Sequence, residues 1–421
     1  MEIYDFFDFM LKYIWIGWPL WFPVLLGLVA WQFWFFYIRF NYHRGLKWTL
    51  LYIKIPKAMS RSPLAMEMIL NALYQTGGTG AWHQRWWDGK LRAYHSLEIV
   101  SIEGKIYFVI RTESRFANLI KSYVYSQYPQ AEITEGDDYT KHVLPPHEKD
   151  SPYTGSNFKT IGAEFVLKKD DFLPIPTYID YGLEKVTKDS KDLAIDPLAP
   201  MLEYMGSMSI GEQLWFQIII RPDSNRYAKE GGLGLQQGWK DEYKSGFEKV
   251  AKVLLADPFD KEKMVARNAI SETNKNALES IERNAQKFGF DTGVRLLYVH
   301  NNEKQRGDVP AFVSGLFRQF AAVNGNLNEF KMQNPNFGND NPWDDSWNFL
   351  KGDPTIEKKR IKMFKKYVAR AWFFHPYIEK PFILTTEELA TIFHFPGEHI
   401  QTPSFERVQT KTFEPPANLP S

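Results

Sequence analysis

The chain has 421 residues and a net charge of +1, from 51 Lys plus Arg against 50 Asp plus Glu, so bulk electrostatics selects neither nucleic acid nor an acidic partner and any basic site must be local. It contains no cysteine, which removes thiolates as metal ligands and leaves the redox compartment undecided. With 24% charged residues, most of the chain reads as water-soluble protein, long enough for two or three domains at ~100–200 residues each.

The first element is apolar. Between Lys12 and Arg39 lie 26 residues, Tyr13 to Ile38, without a formal charge, and Trp15, Trp18, Trp21, Trp31 and Trp34 are among them. As a helix, Pro19 to Ile38 rises ~30 Å, the hydrocarbon thickness of a bilayer. A cleavable signal needs a basic start, whereas this chain begins with Glu2, Asp5 and Asp8. The pattern predicts a retained membrane anchor over residues 1–45, crossing at residues 17–38 with aromatic belts at both interfaces. Arg39, Arg44, Lys47, Lys54 and Lys57 follow the span, so the amino terminus is expected outside and the bulk of the chain in the cytoplasm.

Ser96 to Ile102 and Lys105 to Arg111 flank Glu103-Gly104, which predicts a β-hairpin. Phe116, Leu119, Ile120, Tyr123 and Val124 recur at helical spacing up to Tyr128-Pro129. Strands follow at Ala131 to Thr134 and Ala163 to Lys168, then a short helix near Leu198 to Met208, then a strand buried on both faces at Gln213 to Arg221. This βαββαβ order predicts a split βαβ, ferredoxin-like module over residues 46–230. The glycine-rich Gly231 to Gly238 reads as a loop and a module boundary.

From Asp241 the pattern turns helical, interrupted at Pro258 and ending near Phe288. A strand at Phe290 to His300 and an amphipathic helix with Phe312, Val313, Leu316, Phe317 and Phe320 complete a second module over residues 231–375, closed by a basic helix from Ile356 to Trp372. Residues 376–421 are expected to form a carboxy-terminal helix and an extended tail, because Pro403, Pro415, Pro416 and Pro420 favour polyproline or β geometry. The expected fold class is α+β: one amino-terminal transmembrane helix followed by two cytoplasmic α+β modules.

The motifs argue against catalysis. Gly77-Gly78-Thr79-Gly80 lacks the Gly-Lys-Ser/Thr of a phosphate loop, and Gly232-Leu233-Gly234 lacks the third glycine of a dinucleotide fingerprint. Gly206 to Gly211 misses the nucleophile-elbow spacing by one position. His394 and His399 flank Pro396-Gly397, which breaks the helix that a zinc pair would use. The adjacent acids Asp137-Asp138, Asp170-Asp171, Asp344-Asp345 and Glu387-Glu388 point apart on a helix or strand. The loop Asn334 to Asp345 lacks the calcium-loop register. No catalytic residue, cofactor or metal is therefore expected.

Two polar features remain. Trp82, Trp86 and Trp87, interleaved with Arg85, Lys90 and Arg92, suit packing against the domain, a place at the membrane interface, or stacking on single-stranded nucleic acid. Lys358, Lys359, Arg360, Lys362, Lys365, Lys366 and Arg370 lie opposite an apolar face of Ile361, Phe364, Val368 and Trp372. That helix is a candidate for an anionic surface, DNA or lipid headgroups, beside the reading as a solvated face.

Met59 to Glu67 (MSRSPLAME), Ser96 to Val100 with Tyr125 to Pro129, Gly211-Glu212-Gln213 and Thr386 to Pro396 occur in an order that resembles the amino-terminal half of bacterial membrane proteins associated with type IV secretion and conjugation-type ATPases of the HerA/FtsK class. The resemblance covers most of residues 50–421 and implies an inner-membrane anchor and adaptor for a separately encoded hexameric ATPase. It implies docking through Glu387, Glu388, Leu389, Phe393, Phe395 and Pro396. Membrane lipid and that ATPase are the expected partners, with nucleic acid and a second copy of the chain as further candidates. A membrane-tethered nucleic-acid-binding protein is the alternative reading.

Overall fold

The computed structural model describes residues 3–55, 61–78, 81–143, 158–184, 196–223, 239–240, 243, 246–248, 272–301, 306–321, 327–337 and 356–396. In chain order the elements are α1 (Ile3–Gly45), β1 (Trp48–Lys54), α2 (Leu64–Tyr74), α3 (Trp82–Trp86), β2 (His95–Ile102), β3 (Lys105–Glu113), α4 (Ala117–Gln127), β4 (Glu132–Gly136), β5 (Phe158–Leu167), α5 (Ala199–Gly206), β6 (Glu212–Pro222), α6 (Glu272–Ala285), β7 (Gly289–Asn301), α7 (Val309–Gly315), β8 (Phe330–Gln333), α8 (Ile356–Ala369), β9 (Phe382–Thr385) and α9 (Thr386–Ile392). They fall into two compact units, one with α1 and the Trp82 turn, the other with the sheet and its helices.

The first unit is built on α1, a helix of 43 residues with Pro19 and Pro23 inside it. Its segment from Gly17 is long and apolar enough to cross a membrane. Leu20 is 80% exposed and Phe33 69%, so the outward surface of this helix is hydrocarbon.

The second unit is one mixed α/β body around a nine-stranded, antiparallel sheet in the order β4-β1-β3-β2-β6-β7-β5-β8, with β9 pairing β7. The predicted hairpin is present: Ile102 pairs Lys105, and Glu103 and Gly104 both take positive φ, the signature of the tight turn that matches strand twist. Gly104 also lies so close to the carbonyl of Met208 that a Cβ would stand 2.8 Å from it. β6 and β7 are buried nearly throughout, their polar Gln217 and Arg295 included, as befits central strands covered on both sides.

Strand alternation divides the core. Leu97, Ile99, Phe108, Ile110, Leu214, Phe216, Leu296 and Tyr298 face the helices α2, α4, α5, α7 and α9, while Val100, Val109, Trp215, Leu297 and Val299 face Met363, Phe364 and Tyr367 of α8.

The sequence reading needs correction in three places. The strand expected at 163–168 is β5, and it pairs with β7 and β8 instead of joining the hairpin strands. The boundary expected at residue 230 does not divide the sheet, because β6 bonds to β2 on one side and β7 on the other. β1, α2, β8 and β9 are additional elements: β8 and β9 have four residues each, and β1 pairs with β3 and β4, which are distant in sequence. The expected loop 231–238, the break at Pro258 and the tail from residue 397 lie outside the described residues, while the end of the second expected helix is α6.

Candidate functional site

Register aligns a row of buried polar side chains across four strands beneath α8. Glu98 on β2 stands opposite Gln217 on β6, Gln217 opposite Arg295 on β7, and Arg295 opposite Glu164 on β5. All four are at most 1% exposed. Unpaired charges at such depth would be strongly destabilising, so the row requires partners.

α8 and the segment after it supply them. Arg370 donates from Nε to Glu98 Oε1 at 3.0 Å and from Nη2 to Asp138 Oδ1 at 2.9 Å. Tyr139 donates to Glu98 Oε2 at 2.7 Å and shares a hydrogen bond with the Tyr367 hydroxyl at 2.8 Å. Gln217 Nε2 donates to Glu98 Oε1 at 3.0 Å. At the other end of the row Lys366 Nζ lies 3.1 Å from Glu164 and 2.5 Å from Glu379, while Asn334 donates to Glu164 at 2.8 Å. The Arg295 guanidinium sits over the Trp372 ring at 4.9 Å and donates to the Ala371 carbonyl at 2.8 Å.

Burial alone would raise the Glu98 carboxyl, yet the neighbouring Arg370 guanidinium outweighs it and holds Glu98 below the ordinary glutamate range. Burial likewise opposes ionisation of Glu164, and Arg295 and Lys366 reverse that. The chemistry available to this row is therefore ion pairing: its carboxylates are ionised, charge-compensated and enclosed, which fixes the register of β2, β6, β7 and β5.

Two of the seven cations expected on an anionic-binding surface are thus in the core. Arg370 is 1% exposed and Lys366 4%, each held by carboxylates, so neither reaches a ligand. Lys358 and Lys362 are exposed, and Lys359, Arg360 and Lys365 are half-buried, with Arg360 Nε donating to the Asn336 carbonyl at 3.3 Å.

The segment expected to dock a partner is also interior. Glu387, Glu388, Leu389, Phe393, Phe395 and Pro396 are all buried. Leu389, Phe393 and Phe395 belong to the main core, where Phe395 meets Phe108 and Tyr128 edge-on. Thr385 and Glu388 form a reciprocal capping box at the start of α9. Glu387 pairs with Arg283 at 3.0 Å and accepts from Thr177 at 2.7 Å. Nearby, Glu67 of α2 accepts from Tyr178 at 2.8 Å and pairs with Lys287 at 2.7 Å. The familiar-looking phrase is a core piece, and its Thr-x-x-Glu spacing was the signal for a helix cap.

Two residues of the remaining motifs have structural partners. His394 sits between the Ala390 carbonyl and Asp196, and Ser207 donates to the Tyr204 carbonyl. No group of three His, Asp or Glu side chains that could hold a metal occurs among the described residues. A cleft of about 630 Å³ lies at the β5 end of the polar row, bounded by Glu164, Asp170, Trp239, Trp372, Glu379 and Lys380.

In the first unit the tryptophan cluster packs on α1. Trp86 stacks on Trp31 at 5.8 Å and meets Phe35 edge-on at 4.8 Å, and Trp87 meets Trp34 at 6.2 Å. Gly89, at φ 68°, lies against the backbone of Ile38, where a Cβ would stand 2.5 Å from the carbonyl carbon, so only glycine fits. Trp82 and Trp87 remain 64% and 60% exposed.

Residues 83–408 match the model of a family described as Domain of unknown function (DUF8128). That match spans most of the chain, which therefore belongs to this family. No curated protein matches it.

Proposed function

We propose that this member of the DUF8128 family is a membrane-anchored, non-catalytic adaptor for a separately encoded hexameric ATPase in a transfer machine of the type IV secretion or conjugation kind. The observation that carries the anchor is α1: its apolar side chains from Trp15 to Phe40 are largely exposed, a surface that water does not tolerate and a bilayer does. Arg39, Arg44 and Lys47 at its carboxy-terminal end favour a cytoplasmic location for the α/β body. The ATPase connection rests on the order of the family-like phrases in the sequence.

Within this reading the body consists of two split βαβ modules. β1-α2-β2-β3-α4-β4 has the sheet order 4-1-3-2, and β5-α5-β6-β7-α7-β8 repeats that order in reverse along the sheet. The modules join through the antiparallel pair β2 and β6.

Affinity purification of the full chain in mild detergent tests the proposal. The expected result is co-purification of an ATPase, with no ATP hydrolysis by the chain alone. Hydrolysis that tracks the purified chain, or the absence of any ATPase, overturns it. A cytoplasm-active reporter fused after Ser421 is expected to work, and activity of a periplasmic reporter there would reverse the orientation.

A further inference from the structure

α1 places the Trp82 turn at a defined depth. Trp31 precedes Ile38 by seven positions, which is ~10 Å along a helix, so a residue stacked on Trp31 lies well inside the carboxy-terminal edge of the Pro19–Ile38 stretch. Trp86 is that residue, at 5.8 Å, and Gly89 closes the turn against Ile38 at the edge itself. The segment is consequently held alongside the last turns of the helix.

Its remaining surface is chemically two-sided. Trp82 and Trp87 project outward at 64% and 60% exposure, beside Trp34 of α1, which Trp87 meets at 6.2 Å and which is itself exposed. Arg85, Lys90 and Arg92 accompany them against the single carboxylate Asp88. An indole combines an apolar body with an N–H that seeks a polar partner, which suits the glycerol and headgroup layer, and cations beside it favour anionic lipid.

We propose that the Trp82–Trp87 turn is a second membrane contact: it lies in the phospholipid interface beside the span, with Trp82 and Trp87 inserted among headgroups and upper acyl chains. The inference rests on α1 being a span. It gives the protein a lipid-facing collar that fixes the depth and rotation of the helix where it leaves the bilayer.

The absence of cysteine allows single-site labelling without a background. Trp82→Cys, Trp87→Cys and His83→Cys, the last keeping every tryptophan, would each carry an environment-sensitive fluorophore in the full chain. Val24→Cys on the exposed middle of α1 and Ser122→Cys on the water-exposed face of α4 serve as references. The chain is reconstituted into vesicles of phosphatidylcholine and phosphatidylglycerol in equal parts, with and without bromine on the acyl chains. The expected result is loss of fluorescence in brominated vesicles at residues 24, 82, 83 and 87 and none at 122. Quenching at 24 alone overturns the second contact and leaves the anchor intact. No quenching at 24 overturns the anchor itself. A blue-shifted but unquenched signal at 82, 83 and 87 means that protein covers the turn, which also overturns the proposal.

Discussion

Arg370 and Glu98, 272 residues apart in the chain, meet as a buried ion pair with a contact at 3.0 Å. Arg370 occupies the position just past α8 at φ 49°, where the Ala371 N–H bonds back to the Lys366 carbonyl and its own N–H to that of Tyr367. Helices usually end this way on glycine, and an L side chain there costs ~1–2 kcal/mol. The pair with Glu98 explains why an arginine stands where glycine fits more easily.

Breaking the pair from either side leaves a buried charge. Glu98→Gln and Arg370→Met are each expected to cost about 3–5 kcal/mol, measured by chemical unfolding in mild detergent. Arg370→Gly relieves the backbone but still destabilises. The double replacement Glu98→Leu with Arg370→Leu recovers part of the loss, because the two most deeply buried charges leave together and only Asp138, at 19% side-chain exposure, loses its cation. A single variant as stable as the wild type would show that the pair is not organising the core.

Glu388 carries a pH dependence of its own. Burial pushes its carboxyl up to about 7, although backbone N–H groups of Thr385 and Ile175 donate to it at 2.8 and 3.0 Å. The folded chain therefore keeps a proton that the unfolded chain releases near 4.5, so this contribution to stability is complete below that value and is lost as pH rises through about 7. Glu388→Gln, which resembles the protonated acid, is expected to gain stability relative to wild type between about pH 5 and pH 8. A constant difference across that range contradicts the assignment.

His95 works in the opposite direction. Buried between the hydroxyls of Thr76 at 2.7 Å and Thr112 at 3.0 Å, it is driven by desolvation down to about 3. The unfolded chain takes up a proton near 6.5, so the stability linked to neutral His95 is complete above that value and is lost as pH falls toward about 3. His95→Gln is expected to flatten the acid side of a plot of unfolding midpoint against pH.

The basic helix separates into two behaviours. Replacing Lys358 and Lys362 with Gln is expected to leave stability within about 0.5 kcal/mol while weakening attachment to DNA or anionic vesicles at low salt. Lys366→Gln strips a partner from Glu164 and Glu379 and is expected to destabilise by about 3 kcal/mol. Unchanged binding after the first pair of changes would leave Lys358 and Lys362 as solvated surface.

The two parts of the carboxy-terminal region are expected to respond differently. Leu389→Ala in the core should cost about 2–5 kcal/mol and impair the fold before any partner is considered. Deleting residues 397–421 should leave circular dichroism and protease resistance of the body intact while abolishing co-purification with the ATPase. Retained co-purification places docking elsewhere on the protein.

The sequence by itself determined the features whose signal is local. A run of uncharged residues identifies α1, Glu103-Gly104 between alternating strands identifies the hairpin, and the strongly apolar Gln213 to Arg221 identifies β6 as a strand buried on both faces. Tertiary structure alone decided that Glu98, Gln217, Arg295 and Glu164 share one register row, because pairing between strands that are remote in the chain leaves no periodic trace in any one of them. It also decided that Lys366 and Arg370 point inward from a helix that reads as a basic surface. A cation's preference for water is a local property, whereas the carboxylates that make its burial tolerable come from β2, β5 and the Asp138 turn, and only the folded chain brings them within hydrogen-bonding distance.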